Sequence, residues 1–210
     1  MSTRVLLADD HTIVRQGLKA LLAREGFDVV AEAATGREAL QLALAHHADV
    51  AVLDLGMPGL NGIDAGREIM QTCPETRILL LTQHAEEPYV TSAMRAGIHG
   101  YILKSQAASD LVHAIREVQR GRNYLSAALS QVLVEALRDQ AGFRQDPLTL
   151  SEREVLQLVA EGQSSKEIAR TLGISAKTAE SHRSRIMAKL GLHETASLVR
   201  YAIRHHLVAP

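Results

Sequence analysis

Short aliphatic runs alternate with longer amphipathic segments over the first 121 residues. The runs predict β-strands at Val5–Ala8, Asp28–Ala33, Val50–Leu55, Arg77–Leu81 and Gly100–Leu103. The longer segments repeat their apolar positions with the period of a helix, which predicts helices at 12–24, 36–46, 62–72, 87–96 and 107–120. Strands that are aliphatic throughout indicate burial on both faces, so we expect an α/β domain with a five-stranded, doubly wound parallel sheet.

The pattern changes after residue 121, and it divides the chain into three parts. A short apolar-periodic segment at 126–138 predicts a connector helix, and a polar stretch containing Gly142 follows it. We therefore expect a first domain at 1–121, a connector helix and linker at 122–146, and a second domain at 147–210.

The last part of the chain carries the signals of four short helices, which predict an all-α domain. Ser151 with Glu154, and Ser164 with Glu167, have the spacing of capping boxes before apolar runs. Gly173-Ile-Ser175 predicts a turn that caps a third helix at 176–190, and a fourth helix is expected at 194–206. Two short helices joined by a tight turn containing glycine predict a helix-turn-helix.

Composition narrows the class of protein further. Cys73 is the only cysteine, which excludes an internal disulfide framework. The chain shows neither a membrane-length apolar run nor a signal-peptide pattern, so we expect a cytoplasmic protein with no membrane partner. Residues 147–210 have nine basic against six acidic residues, whereas residues 1–122 have twelve against fifteen. A mildly basic second domain is compatible with a nucleic-acid partner and equally with a balanced solvated surface.

Polar residues stand at the ends of four predicted strands. Asp9 and Asp10 follow the first strand, Asp54 ends the third, Thr82 follows the fourth and Lys104 follows the fifth. The carboxyl ends of parallel strands meet at one edge, so these side chains should converge, although each alone could be an ordinary solvated residue. Three close carboxylates favour a bound Mg2+, and a lysine with a hydroxyl could receive the extra oxygens of a phosphoryl group on Asp54.

Four segments carry a resemblance to a known family: Leu-Leu-Ala-Asp-Asp-His at 6–11, Val-Leu-Asp-Leu-Gly-Met-Pro at 52–58, Leu-Leu-Thr at 80–82 and Ala-Gly-Ile-His-Gly-Tyr-Ile-Leu-Lys at 96–104. They resemble the receiver domain of response regulators, and the C-terminal part resembles a LuxR-type helix-turn-helix. In this order and spacing, the motifs resemble the NarL/FixJ class of two-component response regulators.

This resemblance implies a role for each residue of the predicted site. Asp54 would be the phosphoacceptor, and Asp10 would bind Mg2+ directly. Asp9 would act on the ion mainly through water, and the backbone carbonyl of Gly56 would supply a further ligand. No other cofactor is implied.

The resemblance also implies how the phosphoryl group would be received. Lys104 would pair with it, and Thr82 and Tyr101 would form a switch pair that reorients when it arrives, unless Tyr101 is only a core residue. Ser105 departs from the commonest pattern, because many receivers have a proline after the lysine.

The third helix of the second domain has one apolar and one polar face. Ala179, Ile186 and Leu190 fall together and should face the core, whereas His182 is expected to be structural. Small and basic side chains on the other face suit the major groove of double-stranded DNA. The predicted DNA contacts are Lys177, Thr178, Glu180, Ser181, Arg183, Ser184, Arg185 and Lys189.

The fourth helix is more apolar than one core-facing stripe requires. Recognition of paired half-sites favours a dimer, so we expect this helix to supply a dimer surface or, alternatively, to be buried in its own domain. The residues of this predicted surface are Ala196, Leu198, Val199, Ala202 and Ile203.

Together these features predict a transcriptional response regulator. A sensor histidine kinase or a small phosphodonor would phosphorylate Asp54, and phosphorylation would control dimerisation and sequence-specific DNA binding. Apart from stoichiometric self-phosphorylation and slow autodephosphorylation, no enzymatic activity is expected. Two alternatives stay open: a Mg2+-dependent phosphohydrolase with Asp54 as nucleophile, and a regulator that binds DNA without phosphorylation.

Overall fold

The computed structural model describes residues 2–83, 87–130, 147–205 and 207–208. These residues fall into two compact units, one on each side of 131–146. Most of the predicted connector helix and the linker lie outside the described residues, although residues 127–130 are helical. Within the described ranges, no helix combines the length and apolar character needed to cross a membrane.

The first unit alternates strands and helices as the sequence predicts. Its strands are β1 (Arg4–Ala8), β2 (Asp28–Ala33), β3 (Val50–Asp54), β4 (Arg77–Thr82), β5 (Gly100–Leu103) and β6 (Tyr124–Leu125). Its helices are α1 (Thr12–Arg24), α2 (Gly36–His46), α3 (Gly62–Thr72), α4 (Glu87–Arg95) and α5 (Ala107–Gln119). The strands form one parallel sheet in the order β2-β1-β3-β4-β5-β6, and Lys104–Gln106 form a 3-10 turn after β5.

The sheet has six strands, so the prediction of five is wrong by one short edge strand. Tyr124–Leu125 pair with β5, with Tyr101 opposite Leu125, and the Tyr124 N–H donates to the His99 carbonyl at 2.9 Å. Two residues are too few to show an aliphatic run or an alternating pattern, so no sequence pattern predicts β6. The start of the expected connector is therefore part of the sheet.

Helices cover both faces of this sheet, which confirms the doubly wound architecture. Leu18 and Leu22 of α1 and Leu111 and Ile115 of α5 share one core cluster with alternate residues of the central strands. Helices α2, α3 and α4 cover the other face, and β3 is buried along its whole length. Burial on both sides explains why the strands are aliphatic throughout.

A glycine allows the loop after β3 to return closely over the end of that strand. A Cβ atom at Gly62 would lie 2.2 Å from the carbonyl oxygen of Asp54, a distance that no side chain tolerates. The Gly62 N–H donates to the Leu55 carbonyl at 3.1 Å, and the Asn61 side chain caps α3 by accepting from the Asp64 N–H. These contacts hold the loop that contains Gly56 next to Asp54.

The second unit has the four predicted helices. They are α6 (Leu150–Ala160), α7 (Ser165–Leu172), α8 (Ala176–Leu190) and α9 (Thr195–Arg204). Ser164 and Glu167 form the predicted capping box of α7, and the Ser175 hydroxyl caps α8. Gly173 and Gly191 end α7 and α8 with positive φ angles of 67° and 65°, as helix C-caps require.

The capping box predicted for the first of these helices is wrong by two residues. Thr149, not Ser151, is the N-cap, and Glu152 closes the box by accepting from the Thr149 N–H at 2.8 Å. Both positions match the sequence signature. The earlier start places the Glu152 carboxylate 2.6 Å from the Nζ atom of Lys189 in α8. This ion pair between two helices favours Thr149 over Ser151 as the N-cap.

Candidate functional site

The carboxyl edge of the sheet brings three of the predicted charged residues into direct contact. The Lys104 Nζ atom lies 2.8 Å from the Asp9 Oδ2 atom and 3.0 Å from the Asp54 Oδ1 atom. Strands β1, β3 and β5 deliver these side chains, and the two carboxylates are 1% and 4% exposed. The lysine therefore lies between two nearly buried acidic groups.

The environment of Asp54 disfavours its charge. Burial raises the pKa of the Asp54 carboxyl, and the charge of Asp9 adds to this rise, whereas Lys104 and a backbone hydrogen bond from Gly56 oppose it. A cation that compensates for the buried charge would remove part of this penalty.

The environment of Lys104 favours its charge. Burial by itself lowers the pKa of the Lys104 ammonium, but its contacts with Asp9 and Asp54 outweigh that effect and raise the pKa. Lys104 therefore carries a positive charge at neutral pH, as an amine that pairs with phosphoryl oxygens must.

Asp10 completes an acidic group at the same edge. Ligand atoms of Asp9, Asp10, His11 and Asp54 all lie within 4.8 Å of one another. Carboxylate oxygens suit Mg2+, and three carboxylates around one lysine leave a net negative charge, so the donor set fits a divalent cation. The backbone of Gly56 lies in the turn directly after β3.

His11 contacts both Asp9 and Asp10, which the sequence alone did not predict. Its Nδ1 atom lies 2.6 Å from the Asp10 Oδ1 atom, and its backbone N–H donates to the Asp9 Oδ1 atom at 2.8 Å. Its position directly after the two aspartates was the available signal, since short-range contacts between a carboxylate and residues two positions on are common in turns.

Thr82 and Tyr101 occupy neighbouring strands near the same edge. Asp54 of β3 pairs with Leu81 of β4, so Thr82 lies one residue further than Asp54 in the strand direction, at the carboxyl end of β4. Tyr101 is two residues before the end of β5, and its ring is 1% exposed within the core cluster beneath α3 and α4. Ser105 lies within the short 3-10 turn that follows β5.

In the second unit, helix α8 has the two faces that its sequence predicts. Ala179 and Ile186 are fully buried, and Leu190 packs against the same core. Seven of the predicted DNA contacts are exposed, which leaves a polar surface on the helix. These are Lys177, Thr178, Glu180, Ser181, Ser184, Arg185 and Lys189.

Two of the predicted DNA contacts, Arg183 and Lys189, pair with residues of other helices in the unit. Arg183 donates to the Ser165 hydroxyl at 3.2 Å and to the Thr195 hydroxyl at 3.0 Å, so it joins the beginnings of α7 and α9. Lys189 pairs with Glu152 of α6. Both side chains therefore help to fix α8 in its domain.

The predicted dimer surface on α9 is wrong for two of its five residues. Leu198 and Ala202 are fully buried in the core of their own unit, because α9 packs against α6 through them. Ala196 is exposed, and Val199 and Ile203 are partly exposed. One stripe of the helix is thus used internally, and the neighbouring stripe stays at the surface.

Fold, acidic site and exposed helix define a class of protein. Residues 5–116 match the family model of the response regulator receiver domain, and residues 146–202 match that of the bacterial regulatory proteins of the luxR family. The chain is a two-component response regulator of the NarL/FixJ class, with a receiver and a LuxR-type DNA-binding domain.

Its relatives are transcriptional regulators rather than enzymes of the usual kind. The oxygen regulatory protein NreC of Staphylococcus epidermidis is 39% identical over 215 residues, which cover 98% of this chain and 99% of NreC. The response regulator UvrY of Escherichia coli is 36% identical over 206 residues, covering 97% and 94% of the two chains.

Solved structures of response regulators are similar to nearly the whole chain. The RcsB response regulator of Salmonella typhimurium is 33% identical, with a TM-score of 0.59 over 95% of this chain and 97% of RcsB. An RcsB–DNA complex gives a TM-score of 0.61 at 31% identity, covering 96% and 98%.

Proposed function

We propose that Asp54 is the phosphoacceptor of this response regulator, and that its phosphorylation controls dimerisation and binding to specific DNA sequences. The observation that carries the proposal is the cluster of Asp54, Asp9 and Lys104, buried at the carboxyl edge of the sheet. The phosphodonor is a sensor histidine kinase or a small phosphorylated molecule.

The proposed reaction uses the Asp54 carboxylate as a nucleophile. An oxygen of Asp54 attacks the phosphorus atom, the new oxygen–phosphorus bond forms, and the donor leaves with the electron pair of the broken bond. The Lys104 ammonium, already 3.0 Å from Asp54, pairs with the transferred oxygens. Turnover is limited to self-phosphorylation and slow autodephosphorylation.

Mg2+ is the proposed cofactor. Asp10, Asp54 and the Gly56 carbonyl would hold it directly, and Asp9 would act mainly through water. When bound, the ion neutralises charge on the transferred oxygens. The closeness of the acidic group's ligand atoms and the burial of Asp9 and Asp54 support this assignment.

Thr82 and Tyr101 are the proposed switch pair. The phosphoryl group would attract the Thr82 hydroxyl, and the space vacated would favour the inward position of the Tyr101 ring. The position of Thr82 one residue beyond Asp54 along the edge supports its part, and the buried ring of Tyr101 supports the inward position.

DNA recognition is proposed for the exposed face of α8. Lys177 and Arg185 would contact phosphate or guanine, and Glu180 would accept from cytosine. Thr178, Ser181 and Ser184 allow close approach, while Arg183 and Lys189 combine phosphate contacts with their internal bonds. Ala196, Val199 and Ile203 form the proposed dimer surface because they stay at least partly exposed on α9. The structure of two RcsB dimers bound to two DNAs supports dimerisation itself, not the choice of surface.

The proposed roles of the three parts of the chain follow the domain boundaries predicted from the sequence. Residues 1–121 receive the phosphoryl group, 122–146 connect, and 147–210 bind DNA. The proposed site of action is the cytoplasm, because a bacterial regulator must reach chromosomal DNA and a phosphodonor in one compartment.

A phosphorylation assay tests the acceptor. The full chain is incubated with Mg2+ and acetyl phosphate, and intact-mass measurement follows the addition of one phosphoryl group. Asp54→Asn should abolish the addition. Asp64→Asn is the matched control, because it makes the same change at a carboxylate that is equally buried, at the start of α3, and it should leave phosphorylation intact.

Two results would contradict the proposal. Continued phosphorylation of Asp54→Asn would remove Asp54 as the acceptor. Steady release of phosphate over many turnovers, abolished by Asp54→Asn, would instead support a phosphohydrolase.

A further inference from the structure

The group formed by Arg15, Lys19 and Glu32 lies beside the acidic site without belonging to it. Arg15 and Lys19 are one helical turn apart on α1 and lie on either side of Glu32 of β2. The Lys19 Nζ atom is 2.5 Å from the Glu32 Oε1 atom, and the Arg15 Nε atom is 3.5 Å from the Glu32 Oε2 atom.

The guanidinium of Arg15 also reaches the loop that carries the acidic residues. Its Nη1 atom donates to the backbone carbonyl of Asp9 at 2.6 Å, and the side chain is 16% exposed. A planar guanidinium can donate to a carbonyl from one nitrogen while its charge faces a carboxylate, here as an ion pair at 3.5 Å without a hydrogen bond, whereas an ammonium group acts as a point charge.

The contact of Arg15 with Asp9 is the second connection between Asp9 and β2. The Asp9 N–H donates to the carbonyl of Ala33, the last residue of β2, at 3.1 Å, and Arg15 links the Asp9 carbonyl to Glu32, one residue earlier. The peptide between Asp9 and Asp10 is planar, so fixing its carbonyl also fixes the direction in which Asp10 leaves the strand.

Glu32 is suited to anchor the arginine. The hydrogen bond from Lys19, with the charges of Lys19 and Arg15, lowers the pKa of the Glu32 carboxyl despite some burial. Glu32 therefore stays negatively charged, and Lys19 fixes its position from the solvent side.

We propose that Arg15 is a positioning residue, which orients the Asp9–Asp10 peptide for binding of a divalent cation, and that Glu32 and Lys19 hold Arg15 in place. This inference rests on the proposed function, since it assigns a support to the proposed metal ligands. It adds residues of α1 and β2 to a site otherwise built from β1, β3, β4 and β5.

Direct binding of Mn2+ to the full-length chain tests this proposal. Mn2+ prefers the same oxygen ligands as Mg2+, and its free concentration is measured by electron paramagnetic resonance. Arg15→Gln should raise the Kd for Mn2+ about tenfold, the usual effect of removing a partner that orients a metal ligand. Simple electrostatics predicts the opposite sign, because the variant removes a positive charge near a cation site.

Two further variants separate positioning from charge. Arg24→Gln removes a positive charge at the exposed end of α1 and should leave the Kd unchanged. Arg15→Lys retains the charge but cannot hold the Asp9 carbonyl and Glu32 together, so its Kd should fall between those of the wild type and Arg15→Gln. Urea unfolding of each variant confirms that binding is measured on folded protein.

An equal or lower Kd for Arg15→Gln than for the wild type would overturn the proposal, and so would a wild type that binds no Mn2+. Failure of the proposed function looks different: the wild type would bind Mn2+ but would not be phosphorylated at Asp54.

Discussion

At the scale of single residues, the buried charge of Asp54 has a measurable effect on stability. Its pKa is raised in the folded protein, chiefly by burial, so the folded state binds the proton more tightly than the unfolded state does. The ionised carboxylate therefore destabilises the fold at neutral pH. Asp54→Asn should therefore raise the free energy of unfolding at pH 7.

The effect of this substitution should depend on pH. The difference in the free energy of unfolding between Asp54→Asn and the wild type should be largest above the folded-state pKa of Asp54. It should shrink as the pH falls and vanish below the unfolded-state pKa of about 4. Urea denaturation across this pH range measures the difference, and a variant less stable than the wild type at pH 7 would contradict a destabilising charge on Asp54.

A second residue, His47, is held in a conformation that favours glycine. It ends α2 with φ 46° and ψ 56° in the left-handed region, where a side chain is unfavourable by roughly 1 kcal/mol. His47→Gly should therefore raise the free energy of unfolding by about that amount. His46→Gly, one residue earlier and still helical, should lower it by about 1 kcal/mol, so an equal effect of the two changes would refute the argument.

At the scale of elements, the join between β3 and α3 depends on a glycine without a Cβ. Gly62→Ala would place a methyl group 2.2 Å from the Asp54 carbonyl, so the loop must move, and both stability and phosphorylation rate should fall. Gly17→Ala is the matched control. Its Cβ meets nothing within 4 Å, and alanine favours the middle of a helix, so stability should rise by about 1 kcal/mol or less.

The elements also show what could be predicted from the sequence. Helices α1, α2 and α3 begin and end at the predicted residues, because amphipathic periodicity and caps such as Thr35 are local signals. Two features, strand β6 and the choice of Thr149 as N-cap, were missed because contacts distant in sequence decide them. Such contacts also decide between the two expectations for α9, and burial in its own domain is confirmed for Leu198 and Ala202.

The residues of the candidate site were likewise predicted only in part. Strand ends and residue types predicted that Asp9, Asp54 and Lys104 would meet. The support from Arg15 and Glu32 was not predicted, since ordinary charged residues of a helix and an edge strand show no such role until the fold brings them to one carbonyl.

At the scale of the whole molecule, the beginning of the connector belongs to the core of the receiver. Leu129 is fully buried in the same cluster as Tyr101, and the Ser126 N–H reaches the Tyr101 carbonyl at 3.4 Å. A rearrangement at Tyr101 should therefore reach residues 124–129 directly. Leu129→Ala should reduce the gain in DNA affinity that a phosphoryl analogue produces, with phosphorylation of Asp54 retained.

Leu111→Ala is the control for this variant. Leu111 is also fully buried, but it lies in the cluster on the other face of the sheet. Both variants lose similar apolar volume and stability, so an equal loss of the DNA response in both would show that Leu129 has no special part in the coupling.

DNA binding should depend most directly on the charge carried by Asp54. DNA selected from a random pool provides the ligand, and its affinity is measured with and without beryllofluoride and Mg2+, for the wild type and for Asp54→Asn. The wild type should bind this DNA more tightly when beryllofluoride is present, and the affinity of Asp54→Asn should not change. Equal wild-type affinity in both conditions would contradict the phosphorylation switch, and failure to select any DNA sequence in either condition would contradict specific DNA binding.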